Sequence, residues 1–140
     1  MLTVEASGIA LALAAAHFLD DIPVVFAKKS PAANQSAGML TAVAHSFTHG
    51  NDNALRVDRR YLPAGSRVLV VDDFLADGEA SRALISIVEQ ADCTLVGVGI
   101  AVEKGFQPGG RKLREAGVNL KSLAIVTSIQ DGRIQLADDD

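Results

Sequence analysis

The chain contains no tryptophan, a single cysteine and few aromatic residues, which make up 4% of its 140 residues. One cysteine, Cys93, excludes an intramolecular disulfide, and we expect it to be a buried, reduced thiol in a cytosolic protein. Apolar residues make up 49% of the chain, which excludes a disordered protein. Because aromatic residues are scarce, the core must consist of aliphatic side chains, as is common in α/β proteins.

The chain also lacks a net positive charge and a hydrophobic run of membrane-spanning length. Its net charge of −4 leaves no overall basic field, so nucleic acid is not an expected partner. The apolar opening stretch, residues 6–19, is too short to span a bilayer and follows Glu5 rather than basic residues. We therefore expect no membrane contact and a cytoplasmic location for a protein of one domain.

What is present is an alternation of strand-like and helix-like segments. Continuous apolar runs, typical of parallel strands buried on both faces, lie at residues 24–27, 68–71, 95–102 and 123–126. Helical patterns lie between them at residues 8–19, 78–90 and 111–116. The first helix is apolar nearly all round, so it should be buried or lie under a neighbouring subunit. The alternation predicts a doubly wound α/β domain, and residues 39–62, with a turn cluster at 49–53, predict a long hairpin or flap.

The residues that suggest chemistry are Asp72 and Asp73, which directly follow the run 68–71. They should lie at the carboxyl end of a parallel strand, where ligands bind in open α/β sheets. The next loop leads into a helix whose first backbone N–H groups favour an anion. A ribose phosphate suits both features, with its phosphate on the loop and its hydroxyls on the carboxylates. The alternative is that the acid pair merely caps the next turn.

Residues 67–81 resemble the signature of the type I phosphoribosyltransferases: four apolar residues, two acids, two apolar residues and a small-residue loop with glycine. The resemblance implies the type I fold, a mostly parallel α/β sheet flanked by helices, with a β-flap. It implies that Asp72 and Asp73 are catalytic residues that hold the ribose of phosphoribosyl pyrophosphate (PRPP). It also implies that the PRPP 5′-phosphate binds to a loop formed by Ala76, Asp77, Gly78, Glu79 and Ala80. Because this loop has no Thr or Ser, its amides must carry more of the binding, as in xanthine phosphoribosyltransferases.

Two further segments resemble the pyrophosphate-binding parts of that subgroup. Residues 4–9 resemble the pyrophosphate loop, which implies binding by Ala6, Ser7 and Gly8; the alternative is a plain helix N-cap by Ser7. Lys28 follows a strand at a place where the family has basic residues that reach the pyrophosphate, often across a dimer interface. Lysines after a strand are more often simply solvated.

A third segment, residues 102–109, resembles the base-binding part of the subgroup. The resemblance implies that Lys104 contacts the purine, and Phe106 would offer an apolar face to a planar base. The alternative is that Glu103 and Lys104 form a structural salt bridge.

The resemblance implies a Mg²⁺-dependent enzyme of purine salvage that converts xanthine and PRPP to xanthosine monophosphate and pyrophosphate, as a homodimer. The Mg²⁺ would be held through PRPP and not directly by protein side chains. Alternatives are a PRPP-sensing regulator similar to purine operon repressors, or an enzyme for adenine, hypoxanthine or guanine. Residues 1–136 are expected to form the core without the family's N-terminal hood segment, and residues 137–140 an acidic tail.

Overall fold

The computed structural model describes residues 1–31, 38–45 and 52–138. Its elements, in chain order, are β1 (Leu2–Val4), α1 (Ser7–His17), β2 (Val25–Pro31), β3 (Met39–His45), β4 (Asp52–Asp58), a 3₁₀ turn (Arg59–Tyr61), β5 (Arg67–Leu75), α2 (Glu79–Gln90), β6 (Thr94–Lys104), α3 (Gly109–Glu115), β7 (Leu120–Gln130) and β8 (Arg133–Leu136). None of the helices in these ranges has the length and apolar character needed to cross a membrane.

The strands form one sheet in the order β3-β4-β2-β1-β5-β6-β7-β8. Neighbouring strands from β2 to β7 in this order run parallel, whereas β4 and β8 pair antiparallel with β2 and β7. The chain passes from β1 to β2 on one side and later enters β5 on the other side of β1. The boundary between β1 and β5 is therefore the topological switch point, where α/β sheets bind ligands at the carboxyl ends of their strands.

Helices α1 and α2 cover opposite faces of this sheet. The connections that contain them leave the centre of the sheet in opposite directions, and right-handed crossovers then place the helices on opposite faces. The main apolar cluster agrees, because it contains α2 residues such as Leu84, Ile87 and Val88, together with Leu40 and Leu55 of the hairpin, and no residue of α1. The α2 face therefore holds the principal core.

The parallel α/β fold predicted from the apolar runs is confirmed, with two corrections at one edge. The run at 123–126 was expected to be buried on both faces, but Leu123 of β7 is 82% exposed. The short helix α3 packs on β7 and spans only two turns, which leaves most of one strand face uncovered. Strand β8 was not predicted, since all four of its residues are exposed and give no apolar run.

Helix α1 was expected to be apolar all round, and one of its sides is buried in this chain. Gly8, Ala12 and Ala16 face the sheet, whereas Leu13 is 57% exposed and Phe18, just after the helix, is 85% exposed. The small residues allow a close approach to β1 and β5, on which the helix packs.

The hairpin predicted at 39–62 is confirmed in its described parts. Strands β3 and β4 pair antiparallel from Met39 with Asp58 to His45 with Asp52, and β4 extends the main sheet by pairing with β2. The expected turn cluster lies mostly outside the described residues. The hairpin contributes Leu40 and Val57 to the core, so its base is part of the domain.

Candidate active site at the topological switch point

The carboxyl ends of β1 and β5 bring the start of α1 against the acid pair. A Cβ on Gly8 would stand 2.3 Å from Thr3 Oγ1 and 2.9 Å from Asp72 Oδ1, so only glycine fits between these groups. The Thr3 hydroxyl is fully buried and has no hydrogen-bond partner among the described residues. Residues 4–9 and the acid pair, which the sequence predicted as separate parts of one site, are therefore in direct contact.

Asp72 is a buried carboxyl with a strongly perturbed pKa. Asp72 is 4% exposed, and its Oδ1 accepts a hydrogen bond of 3.0 Å from the Asp73 backbone N–H. Burial first, and then the hydrogen bond and charge of the Asp73 side chain, raise the pKa of Asp72 from 3.8 to about 7; the Asp73 backbone N–H and the charge of Lys29 oppose the rise. Asp73 is half-buried, so the two neighbouring carboxyls differ in their access to a ligand.

The loop after β5 leads into α2 through Gly78, whose φ of 87° is the left-handed conformation that favours glycine. Asp77 Oδ1 accepts from the backbone N–H of Glu79 at 3.0 Å. The side chain that bonds to the start of α2 is thus Asp77 and not a member of the acid pair, contrary to the capping alternative. The Glu79 carboxylate pairs with Arg82, which reduces its repulsion of an anion. Ala80 lies in the first turn, where N–H groups have no partner within the helix.

The segment before α1 is partly open to solvent. Ala6 and Ser7 are exposed and Gly8 is buried, and the Glu5–Ala6 peptide bond is cis. Ala6 is the N-cap residue and makes no side-chain capping hydrogen bond, so the alternative of a Ser7 N-cap is wrong.

The two lysines of β2 lie in different surroundings. Lys28 lines a cavity of about 600 Å³ together with Phe26 and Tyr61, whereas the charge of Lys29 acts on Asp72 and its backbone N–H donates to Glu5 Oε1 at 2.6 Å. Lys29 is therefore the lysine of this pair whose charge acts on the acid pair, and it was not singled out from the sequence. The alternation of side chains along a strand, which separates neighbours, was the available signal.

Lys104 lines an apolar pocket together with Phe74, the residue that follows the acid pair in β5. Its Nζ is 5.8 Å from the centroid of the Phe74 ring, and both residues line a cavity of about 540 Å³ with Val102 and Val126. Phe74, which is 54% exposed, was not singled out from the sequence, although it shares a strand face with Asp72. Phe106, the predicted apolar face, is 49% exposed and is not among the residues that line this cavity.

The alternative of a salt bridge between Glu103 and Lys104 is wrong, because Glu103 pairs with Arg114. Glu103 forms two hydrogen bonds of 2.7 Å with Arg114 and accepts a third of 2.6 Å from the Ser122 hydroxyl. These contacts, led by those from Arg114, lower the pKa of Glu103. Lys104 lies on the opposite strand face and is left beside Phe74.

The described residues contain no cluster of three or more His, Cys, Asp or Glu side chains that could hold a metal ion by themselves. The donor set at the switch point is two adjacent carboxyls, Asp72 and Asp73. The exposed residues Ala6 and Ser7 lie at the start of α1, and the first turn of α2 supplies backbone N–H groups. Magnesium in enzymes is commonly held by one or two carboxylates or by substrate phosphates, with water completing its shell. The residues present therefore fit a Mg²⁺ that arrives with a phosphorylated ligand.

Comparisons with known proteins agree with this arrangement. Residues 1–133 match the phosphoribosyl transferase domain family. Xanthine phosphoribosyltransferase 1 of Clostridium perfringens (strain 13) is 46% identical over 134 residues, which are 96% of this chain and 70% of that protein. The xanthine phosphoribosyltransferase of Bifidobacterium animalis subsp. lactis is 50% identical over 129 residues, or 92% of this chain and 67% of that protein.

Solved structures of more distant proteins have the same fold. Adenine phosphoribosyltransferase from Saccharomyces cerevisiae superposes with a TM-score of 0.74 at 23% identity, over 87% of this chain and 65% of that chain. The Trypanosoma brucei enzyme gives 0.76 at 21% identity, over 93% and 57%. From the match over residues 1–133 and the identity to its curated relatives, the chain belongs to the phosphoribosyl transferase domain family.

Proposed function

We propose that this chain transfers the phosphoribosyl group of PRPP to xanthine and releases pyrophosphate, forming xanthosine monophosphate. The observation that carries the proposal is the placement of Asp72 and Asp73 between two backbone loops at the switch point, with the pocket of Lys104 and Phe74 beside them. The curated relatives that are 46% and 50% identical are named xanthine phosphoribosyltransferases, which supports the choice of base.

In this proposal each part of the site has a separate task. The carboxylates of Asp72 and Asp73 accept hydrogen bonds from the ribose hydroxyls. Backbone N–H groups of the phosphate loop, residues 76–80, bind the 5′-phosphate, and Ala6 to Gly8 bind the pyrophosphate. Lys29 joins them from β2, since its charge already acts on Asp72.

The reaction is a displacement at C1 of the ribose. The bond between C1 and the pyrophosphate oxygen breaks with its electron pair on pyrophosphate, while a ring nitrogen of the base bonds to C1 and releases its proton to solvent water. The protein therefore has to hold two reactants in line and stabilise a leaving anion, and it needs no nucleophile of its own. A Mg²⁺ bound with PRPP supplies positive charge for that leaving group.

The base is assigned to the cavity of Phe74 and Lys104. The exposed Phe74 ring offers a flat apolar surface, and the ammonium group beside it favours a base that carries oxo groups or negative charge. Xanthine, with two oxo groups, fits this combination better than adenine, which has none.

The test is a steady-state assay with PRPP, Mg²⁺ and each of xanthine, hypoxanthine, guanine and adenine. We expect the highest kcat/KM with xanthine, and a Lys104→Ala variant that loses xanthine activity more than hypoxanthine activity. Lys112→Ala removes an exposed lysine in the middle of α3; it is the matched control and should keep the preference. Binding of PRPP without turnover of any base would contradict the enzyme and point to a PRPP-sensing regulator.

A homodimer and a cytoplasmic location belong to the same proposal. Helix α1 and the two residues after it leave Leu13, Phe18 and Leu19 exposed at 57%, 85% and 46%, an apolar surface that a second copy would cover. Sedimentation of the purified protein should give twice the mass of the chain, and a monomer at micromolar concentration would contradict the dimer.

A further inference from the structure

We infer that one end of α3 positions the phosphate loop, through a group of residues that we call the α3 bracket. Its members are Glu103, Gly109, Gly110, Arg114 and Ser122. The inference rests on the proposed function, because it assigns these residues to the binding of the 5′-phosphate.

Phosphate binding by the phosphate loop depends on the orientation of its backbone N–H groups. Residues 76–80 contain no Ser or Thr, so no hydroxyl of the loop can adjust to a phosphate oxygen. Backbone N–H groups bind well only when they point along the hydrogen bond, and the interaction weakens steeply as the angle falls. Something outside the loop must therefore fix the direction of its peptide groups.

The first contact of the α3 bracket is made directly with the loop. The Gly109 backbone N–H donates to the Ala76 carbonyl at 3.0 Å. A Cβ on Gly109 would stand 2.5 Å from that carbonyl oxygen and 2.6 Å from the Gly78 nitrogen. Only glycine fits, so the helix start is packed backbone to backbone against the two residues that set the loop's shape.

The second contact fixes α3 to the sheet. A Cβ on Gly110 would stand 1.9 Å from Glu103 Oε1, so the carboxylate lies immediately against the first turn of the helix. Glu103 is 3% exposed and holds Arg114, one turn further along, by two hydrogen bonds of 2.7 Å. Ser122 of β7 donates the third hydrogen bond, at 2.6 Å. Glu103 thus ties α3 to two strands at once.

Together, these contacts connect β6 to the phosphate loop through α3: Glu103 holds the helix, and Gly109 at the start of the helix holds Ala76. Replacing Arg114 removes two hydrogen bonds from the buried Glu103 carboxylate. The start of α3, which packs against this carboxylate, is then held less firmly. The purine pocket should be unaffected, because Lys104 lies on the other face of β6, beside Phe74. The α3 bracket therefore acts as a set of positioning residues for PRPP and not for the base.

The experiment measures ribose 5-phosphate binding by calorimetry for Gly109→Ala, Arg114→Met and two matched controls. Gly99→Ala adds a methyl group where the nearest atom is 3.8 Å away. Arg111→Met removes an exposed arginine of the same helix, which pairs with Glu115 at 3.9 Å. We expect the Kd to rise at least tenfold in the two test variants and less than twofold in the controls.

Steady-state kinetics separate positioning from general damage. The KM for PRPP should rise at least tenfold in Arg114→Met, while the KM for xanthine stays within twofold. Equal increases in both constants, or an unchanged Kd for ribose 5-phosphate in either test variant, would overturn the inference. If Gly109→Ala or Arg114→Met does not fold, the isosteric Glu103→Gln decides by the same two criteria. Wild-type protein that does not bind ribose 5-phosphate would refute the proposed function itself, which is a distinguishable result.

Discussion

Replacement of Asp72 by Asn should change how the stability of this protein depends on pH. Asp72 is 4% exposed, and its pKa is raised from 3.8 to about 7, mainly by burial. The folded protein therefore holds a proton on this carboxyl more tightly than the unfolded chain does. Its contribution to stability is complete below the unfolded pKa and is lost as the pH rises through about 7.

The size of the effect follows from the pKa change. At about 1.4 kcal/mol per pKa unit, the free energy of unfolding loses about 4 kcal/mol from this group between acidic pH and about pH 8. An asparagine keeps the shape of the side chain and can still accept the Asp73 N–H, but it carries no charge. The Asp72→Asn variant should therefore gain stability relative to wild type as the pH rises.

Urea unfolding followed by circular dichroism, from about pH 4.5 to about pH 8, measures this difference directly. Asp92→Asn is the control, because the Asp92 side chain is 76% exposed in its pair with Arg59 and lies outside the buried site. A difference between wild type and Asp72→Asn that does not change with pH would refute the account of the buried carboxyl.

Three other variants test separate parts of the structure. Leu84→Ala removes a fully buried side chain of α2 and should lower the free energy of unfolding by about 2–5 kcal/mol in urea titrations, so a loss below about 1 kcal/mol would contradict the assigned core. Phe74→Ala should raise the KM for xanthine about tenfold, from loss of about 1.4 kcal/mol of aromatic contact, with little change in the KM for PRPP. A rise in the KM for PRPP with an unchanged KM for xanthine in steady-state kinetics would contradict the assignment of the base to this pocket. Gly78→Ala places a side chain at a φ of 87° and 3.2 Å from Gly109 Cα, and it should cost about 1–2 kcal/mol of stability; unchanged urea unfolding would contradict this loop geometry.

The sequence was most informative where a pattern is local. Buried strands β5 and β6 were predicted because their apolar runs are continuous. The acid pair was expected directly after the strand, but β5 continues to Leu75, so Asp72 and Asp73 lie within its carboxyl-terminal part. The glycine at 78 was read as part of a loop into a helix, and its left-handed conformation agrees.

Contacts between distant segments were not predictable in the same way. Gly109 contacts Ala76, 33 positions away, and Arg114 bonds to Glu103, 11 positions away. No local sequence pattern predicts either contact. Strand β8 was missed since an exposed edge strand needs no apolar residues. Only the parallel register of Phe74 with Val102 brings Phe74 close to Lys104.

The central claim is that the acid pair at the switch point holds the ribose of PRPP, and calorimetry of PRPP binding in the presence of Mg²⁺ tests it most directly. Hydrogen bonds to a charged group contribute about 1.5–3 kcal/mol each. The Asp72→Asn, Asp73→Asn double variant should therefore bind PRPP at least about a hundredfold more weakly than wild type, at a cost of about 1.4 kcal/mol per tenfold, while remaining folded. A double variant that binds PRPP with the affinity of wild type would contradict the account.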